Sequence, residues 1–395
     1  MSLDCLNNQE PLIDHHVLIC AGETSGDLHA AAVIHALRVK SPTMHISAVA
    51  GPAMRAEGCD EIARMESLNV MGIGDVLRAL PRIRRIARDL LDWAKKHQPD
   101  LIILVDFPGF HTRIGAHFCT LGIPVLYYIA PKLWAWGSWR IAKLRQAQTR
   151  LASILPFEHD WFGKHGIDAS YVGNPSAYAC WQQGWSQTIL RTKAGLNKDG
   201  PVLAILAGSR NGELSRHASL LAEISREMRQ RIPNLQIVTC RAPGITDGQL
   251  SPLIAEGVKV VDRLQAGYAM RADAAVAVSG TATLELALWN VPTVLVYRNT
   301  PITVWLARKL VGTQCVGLAN ILLGDQPIMP ECIQEYATPN HVLALLEPLL
   351  RKNSKEAIKQ RQAFVQLQQK LGHQNPAIGL SRIAHEMLEV NEQNA

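Results

Sequence analysis

The sequence predicts an α/β protein made of two doubly wound parallel-sheet domains in tandem, followed by a helical C-terminal tail. Three observations carry this expectation. Short apolar runs alternate with helical patterns, the signature of repeated βαβ units. The runs are rich in Ile, Val and Leu without polar–apolar alternation, as strands covered by helices on both faces require. A polar, turn-rich stretch, CWQQGWSQTILRTKAGLNKDGP (Cys180 to Pro201), divides the runs into two sets. In the first set the expected strands are His16–Cys20, Ile46–Ala50, Leu101–Val105, Val125–Ile129 and Ser153–Leu155. In the second they are Val202–Leu206, Leu235–Thr239, Val258–Val261, Ala274–Val278 and Thr293–Val296. From about His341 helical patterns continue without strands. The expected domains are 1–182 and 183–365, with 366–395 a tail that either packs back on the first domain or is exchanged between two subunits. Doubly wound sheets bind ligands beyond the carboxyl ends of their strands. Polar residues directly after an apolar run are therefore candidates for a site, and those before it are not.

Composition bounds the function classes. The 395 residues are 48% hydrophobic and 19% charged, ordinary for a globular chain and enough for two domains. No long uncharged apolar stretch suggests a transmembrane helix. Asp4, Glu10 and Asp14 near the start, with no basic segment before an apolar core, argue against a secretory leader. The eight cysteines fall singly, which argues against a metal cluster or a disulfide framework and fits a reducing cytoplasm. The formal charge of +6 is unevenly spread. LRALPRIRRIARDLLDWAKK (Leu77 to Lys96) combines Arg82, Arg85 and further basic residues with apolar residues at helical spacing and with Trp93. PKLWAWGSWRIAKLRQ (Pro131 to Gln146) sets Trp134, Trp136 and Trp139 beside Lys132, Arg140, Lys143 and Arg145. Tryptophan beside basic charge suits an anionic membrane surface. A surface helix with a solvated basic face is the competing reading of the first segment, and stacking on single-stranded nucleic acid that of the second. Two such segments in one half favour the membrane, and no nucleic-acid partner is expected.

The residues at the strand ends follow the rule above. After the first run comes AGETSGDLHA (Ala21 to Ala30). Gly22 and Gly26 permit a tight turn and Ser25 or Asp27 can cap the next helix, whereas Glu23, Thr24 and His29 are not needed for a cap. No Gly-x-Gly-x-x-Gly fingerprint occurs there, GIGDVL at Gly72 lacks the third glycine, and no Walker A motif exists. NAD binding and ATP hydrolysis are thus unsupported. After LIILV comes VDFPGFH (Val105 to His111). Asp106 follows the strand and is the candidate general base, while Asp100 precedes it and belongs at the other end. Turn chemistry alone is the competing account of Asp106. In the second half, LAGSRNGELSRH (Leu206 to His217) brings Gly208, Ser209 and Arg210 to a helix start, an anion site. SGTATLELA (Ser279 to Ala287) then offers Gly280, amides, and the hydroxyls of Ser279, Thr281 and Thr283 for a pyrophosphate. Glu285, one turn on, can accept two hydrogen bonds from vicinal ribose hydroxyls. It is not a reciprocal cap, since the capping-box positions after Ser279 and Thr281 hold Ala282 and Leu284. A favourable place in the helix dipole is its competing explanation.

AGETSGD, VDFPGF, APKLWAW, LPFE, GSRNGE, SGTATLELAL and the late NILLG…PECIQE, in this order and at these separations, resemble the lipid-A-disaccharide synthase family over nearly the whole chain. One SGTxTLE stretch would be weak, because other UDP-sugar enzymes carry similar ones; the ordered set is specific. The resemblance implies a GT-B fold, two Rossmann-like domains facing a central cleft. It implies inverting glycosyl transfer without metal or cofactor, peripheral at the cytoplasmic face of the Gram-negative inner membrane. The donor would be UDP-2,3-diacylglucosamine, the acceptor 2,3-diacylglucosamine 1-phosphate, and the products the β-1,6 disaccharide 1-phosphate of lipid A biosynthesis and UDP. By the same resemblance Asn320, Glu331 and Gln334 would face the donor. Glu23, Ser25, Gly26, Asp27 and Asn174 would serve the acceptor side, and the C-terminal helices would be exchanged in a homodimer. The chain departs from the family pattern at Asn174, where a histidine is usual, at Ala207 and Ala319, where prolines are usual, and at Gly109, where some relatives carry a second acid. An asparagine can donate a hydrogen bond but cannot carry a proton. Two rival readings stay open: a UDP-sugar 2-epimerase on the same fold, and a membrane-associated UDP-sugar-binding relative with altered specificity or without turnover.

Overall fold

The computed structural model describes residues 15–68, 73–183, 195–197, 199–242, 244–262, 272–300 and 312–394. Two compact units emerge, Met1–Pro175 with Gln374–Ala395, and Ser176–His373. In the first, the order is β1 (His16–Ala21), α1 (Thr24–Lys40), β2 (His45–Ala50), α2 (Pro52–Ala56), β3 (Asp60–Arg64), α3 (Ile73–His97), β4 (Leu101–Val105), α4 (Pro108–Thr120), β5 (Val125–Tyr128), α5 (Ile141–Arg145), β6 (Arg150–Ser153), α6 (Pro156–Gly163) and β7 (Ala169–Tyr171). All neighbours in its seven-stranded sheet are parallel, in the order β3-β2-β1-β4-β5-β6-β7. Strand side chains point alternately to the two faces, so Val17, Ile19 and Ala21 enter one core and Leu18 and Cys20 the other. Both faces are covered, and LIILV of β4 is therefore 0% exposed throughout.

After α7 (Pro175–Gln182) the second unit runs β8 (Val202–Leu206), α8 (Asn211–Arg231), β9 (Gln236–Arg241), α9 (Asp247–Ala255), β10 (Lys259–Asp262), β11 (Ala274–Val278), α10 (Thr281–Leu288), β12 (Thr293–Tyr297), α11 (Leu318–Leu322), β13 (Glu331–Ile333), α12 (Pro339–Leu350) and α13 (Lys355–Leu371). Its six-stranded sheet is again all parallel, in the order β10-β9-β8-β11-β12-β13. The last helix, α14 (Pro376–Asn394), belongs to the first unit. Its Ala377, Leu380, Ile383, Ala384 and Leu388 recur at helical spacing and join the core built by Val33, Ile34 and Leu37 of α1.

The apolar runs become strands with ends shifted by a residue or two, except the fifth. There the strand is Arg150–Ser153 rather than Ser153–Leu155. Pro156 occupies the first turn of α6, so Leu155 is already the residue that caps it. The short edge strands β3, β7 and β13 were not expected, because DEIAR, ASY and ECI carry too few apolar residues to read as buried strands. Part of the expected linker, residues 184–194 and 198, lies outside the described residues.

Candidate functional site

Strand order reverses between β1 and β4 in the first sheet and between β8 and β11 in the second. At each reversal the loops leaving two neighbouring strands diverge and open a crevice. The sequence places its polar loops at these two points.

In the first unit, Ala21 pairs with Val105, so Gly22–Glu23 and Asp106–Phe107 leave the sheet side by side. Asp100, ahead of β4, sits at the opposite end, where its Oδ2 accepts the His16 amide at 2.7 Å. Asp106 and Phe107 both have a φ of 51°, in the left-handed region. The Phe107 ring lies over Gly22, where a Cβ would stand 2.3 Å from it, so only glycine leaves room for this turn. Asp106 is half-buried, and burial raises its carboxyl pKa, with the Glu23 charge adding to the rise and the Phe107 amide and Lys132 opposing it. A carboxylate so shifted is a stronger base than a solvated aspartate.

The rest of this half-site divides into exposed and structural groups. Glu23 and Ser25 are exposed and Gly26 is buried. Neither Ser25 nor Asp27 caps α1: the N-cap is Glu23, with no side-chain cap hydrogen bond. Asp27 is 2% exposed, and its carboxylate accepts the amides of Gly51, Ala53 and Met54 at 3.0, 2.8 and 3.1 Å. It thus ties the start of α2 to α1, a scaffold role in place of the expected acceptor contact. Asn174, 3% exposed, donates to the Ile154 carbonyl at 3.0 Å.

Two of the tryptophans expected at a membrane turn inward. Trp93 packs edge-on against His16 and stacks on His97, at the end of the sheet away from Asp106. Trp134 donates its indole N–H to Glu158 Oε1 at 2.9 Å and meets the Phe157 ring edge-on at 4.8 Å. Trp136 and Trp139 are 42% and 60% exposed, with the Arg140 guanidinium 4.9 Å over the Trp136 ring. Arg82 and Arg85 are exposed on α3.

Glu158 carries chemistry to which sequence reasoning gave no role. It is 1% exposed, and its Oε2 accepts the Leu155 amide at 3.2 Å. The signal was present in LPFE: a proline opening a helix with a glutamate three residues after the cap. Burial pushes its pKa up to about 7, against the Trp134 and Leu155 hydrogen bonds and Lys132. Between its ordinary 4.5 and about 7 the folded protein keeps a proton that the unfolded chain has lost. Stability therefore falls as pH rises through that window, by roughly 3 kcal/mol at about 1.4 kcal/mol per pKa unit. Glu158→Gln is expected to flatten this slope. Urea midpoints measured from pH 5 to 8 check it, and equal slopes for both proteins would contradict it.

In the second unit, Leu206 pairs with Ala277, which sets the loop after β8 beside Ser279–Gly280. Gly208 has a φ of 102°, and a Cβ there would lie 2.6 Å from a Glu213 carboxylate oxygen. That oxygen accepts the amides of Ser209 and Arg210 at 3.0 and 3.3 Å. The amides expected to hold an anion are thus capped by the protein's own carboxylate, and the Arg210 side chain, exposed, is what remains for it. Next to it, Gly280 and Thr281 are exposed, and nothing lies within 4 Å of where a Gly280 Cβ would be. Ser279 makes a long 3.5 Å contact to the Val316 carbonyl. Thr283 is fully buried and donates to the Gly280 carbonyl at 2.8 Å, so it shapes the turn and does not face a pyrophosphate. Glu285 is half-exposed in the first turns of α10.

The residues expected to face the donor further on form a scaffold. Asn320, 0% exposed, donates to Met329 O and Glu331 Oε1 and accepts the Met329 amide. Glu331 also accepts the amides of Val316 and Gly317 at 2.9 Å each. Gln334 bridges both backbone groups of Asn299 at 2.7 and 3.0 Å. Their bonds fix the loops around β12 and β13. Among the described residues, no group of three or more His, Cys, Asp or Glu is placed to hold a metal ion, and no helix is long and apolar enough to cross a membrane.

Two doubly wound parallel sheets of this order with a helical C-terminal segment define a protein of the GT-B class. Solved structures share the architecture at low identity. A UDP-GlcNAc 2-epimerase from Neisseria meningitidis matches with a TM-score of 0.61 at 14% identity, over 95% of this chain and 100% of that one. The kitacinnamycin glycotransferase matches with a TM-score of 0.60 at 13% identity, over 95% and 99%. The family model of lipid-A-disaccharide synthetase matches residues 17–378. Lipid-A-disaccharide synthases of Myxococcus xanthus and Coxiella burnetii are 37% and 31% identical, covering 82% and 95% of this chain and 85% and 97% of their own. The chain belongs to the lipid-A-disaccharide synthase family, glycosyltransferases of lipid A biosynthesis.

Proposed function

We propose that the chain transfers 2,3-diacylglucosamine from UDP-2,3-diacylglucosamine to 2,3-diacylglucosamine 1-phosphate, forming the β-1,6 disaccharide 1-phosphate and releasing UDP. The first domain presents the acceptor and the base, and the second holds the nucleotide. The observation that carries this reading is Asp106, half-buried and made more basic by its surroundings, at the strand-order reversal of the first sheet. Inversion needs a single displacement. Asp106 takes the proton of the acceptor 6-hydroxyl as its oxygen bonds to the anomeric carbon, and the bond from that carbon to the UDP oxygen breaks on the opposite face. The negative charge gathering on the leaving diphosphate is met by Arg210 and by the backbone N–H groups after Gly280. Glu285 holds the ribose hydroxyls. Incubation with both acylated sugars and mass spectrometry of the products tests the reaction: a disaccharide 1-phosphate is expected, and UDP binding without product would favour the non-catalytic reading.

The acylated substrates reside in membrane, and Trp136, Trp139, Arg82 and Arg85 form the proposed contact with the anionic inner face of the inner membrane. Flotation with vesicles containing anionic lipid is expected to carry the protein up. The double variant Trp136→Ala/Trp139→Ala should stay largely behind, and equal flotation would contradict the assignment.

A further inference from the structure

The turn that presents Asp106 is unusual, because two successive residues with side chains, Asp106 and Phe107, hold a left-handed backbone. Such a conformation is disfavoured for residues with a Cβ and persists only when its surroundings enforce it. The surroundings are specific. The Asp106 amide donates to the Tyr128 carbonyl at 2.8 Å, continuing the β4–β5 ladder by one step. The Asp106 carbonyl receives two side-chain donors, His111 Nδ1 at 2.7 Å and the Tyr127 hydroxyl at 2.9 Å. Both lone pairs of that oxygen are used, and the peptide unit beyond Asp106 is clamped from two elements, α4 and β5.

We propose that His111 and Tyr127 are positioning residues for the transfer reaction, holding the Asp106 carbonyl so that its carboxylate is aimed at the acceptor hydroxyl. The inference rests on Asp106 being the base.

His111 itself is ill placed for proton transfer. It is 0% exposed, enclosed by the rings of Phe107, Phe110 and Tyr127 at centroid distances of 5.7, 5.7 and 6.4 Å. Since its Nδ1 partner is a carbonyl, the proton sits on Nδ1, and burial lowers the ring's pKa to about 4. Its Nε2 is buried with no hydrogen-bond partner among the described residues. An orphaned buried acceptor is unfavourable, and a leucine of similar bulk would avoid it. What the imidazole provides that leucine cannot is the Nδ1–H bond to Asp106.

The test is a set of variants assayed for kcat and KM with the same two sugars, with folding followed by circular dichroism. His111→Leu removes one donor and is expected to lower kcat by about tenfold or more, since small misplacements of a reacting group cost up to about 10²-fold. KM for the nucleotide sugar should stay within about twofold. His111→Asn places an amide N–H near the Nδ1 position and should recover most of the loss. Tyr127→Phe, which removes one oxygen from an otherwise unchanged ring, should lower kcat in the same direction and carries the test if His111→Leu does not fold. The decisive step adds His111→Leu to Asp106→Asn. A residue acting through Asp106 has nothing left to position, so no further loss is expected. Wild-type kcat in both His111→Leu and Tyr127→Phe, or an equal further loss on the Asp106→Asn background, would overturn the inference while leaving the base assignment intact. Wild-type turnover by Asp106→Asn alone would overturn both.

Discussion

Asp106→Asn is expected to lower turnover by about 10²–10⁴-fold, the usual worth of a general base, with UDP affinity kept within a fewfold. Asparagine keeps the size and the turn geometry but cannot accept the proton of the attacking hydroxyl. The other charged groups that act on Asp106, Glu23 and Lys132, remain in place. The pH dependence follows from the direction of the Asp106 shift. Its carboxyl pKa is raised by burial and by Glu23, so the rate should fall as acid protonates it, at a pH above the ordinary aspartate range. Glu23→Gln removes one source of that rise and should move the acid limb to lower pH. Single-turnover rates across pH, with UDP titrations on the same samples, check both statements. An Asp106→Asn rate equal to wild type would remove the base.

Glu285→Ala is expected to act on the other term, binding. A carboxylate that accepts two hydrogen bonds from vicinal ribose hydroxyls loses both, and charged hydrogen bonds are worth about 1.5–3 kcal/mol each. UDP affinity should therefore drop by roughly 100-fold or more. Glu285→Gln, which keeps one acceptor oxygen and loses the charge, should fall between the two. Uridine without phosphates separates this contact from that of Arg210: Glu285→Ala should weaken uridine and UDP alike, whereas Arg210→Ala should weaken UDP and spare uridine. Unchanged UDP affinity in Glu285→Ala would contradict the ribose assignment.

What the sequence discloses depends on how local the cause is. Strand polarity is local: LIILV is a buried parallel strand on composition alone, and its direction separates Asp106, at the carboxyl edge, from Asp100, which caps the far end at His16. The pairing of β1 with β4 then brings Glu23 to Asp106 without further information. Side-chain ownership of backbone amides is less legible. Glu213 reaches Ser209 and Arg210 only because Gly208 turns through a φ of 102°, and no Ser or Thr at the cap announces it. Thr283 reads as an open hydroxyl until its bond to the Gly280 carbonyl is seen. Trp134, in a turn, reads as interfacial because its partner lies 24 positions away on α6. Asn320, on α11, and Glu331, the first residue of β13, join each other across 11 positions, and Glu331 is placed by its pairing with Leu295 of β12. Periodicity therefore finds the scaffold and its open edges, and tertiary contacts decide which polar groups are left for a ligand.

The most direct test of the account is a calorimetric titration of UDP into the wild-type protein. One site per chain is expected, lost or strongly weakened by Glu285→Ala and retained in Asp106→Asn. A wild-type protein that takes up no UDP at millimolar nucleotide would contradict the claim from which the rest is derived.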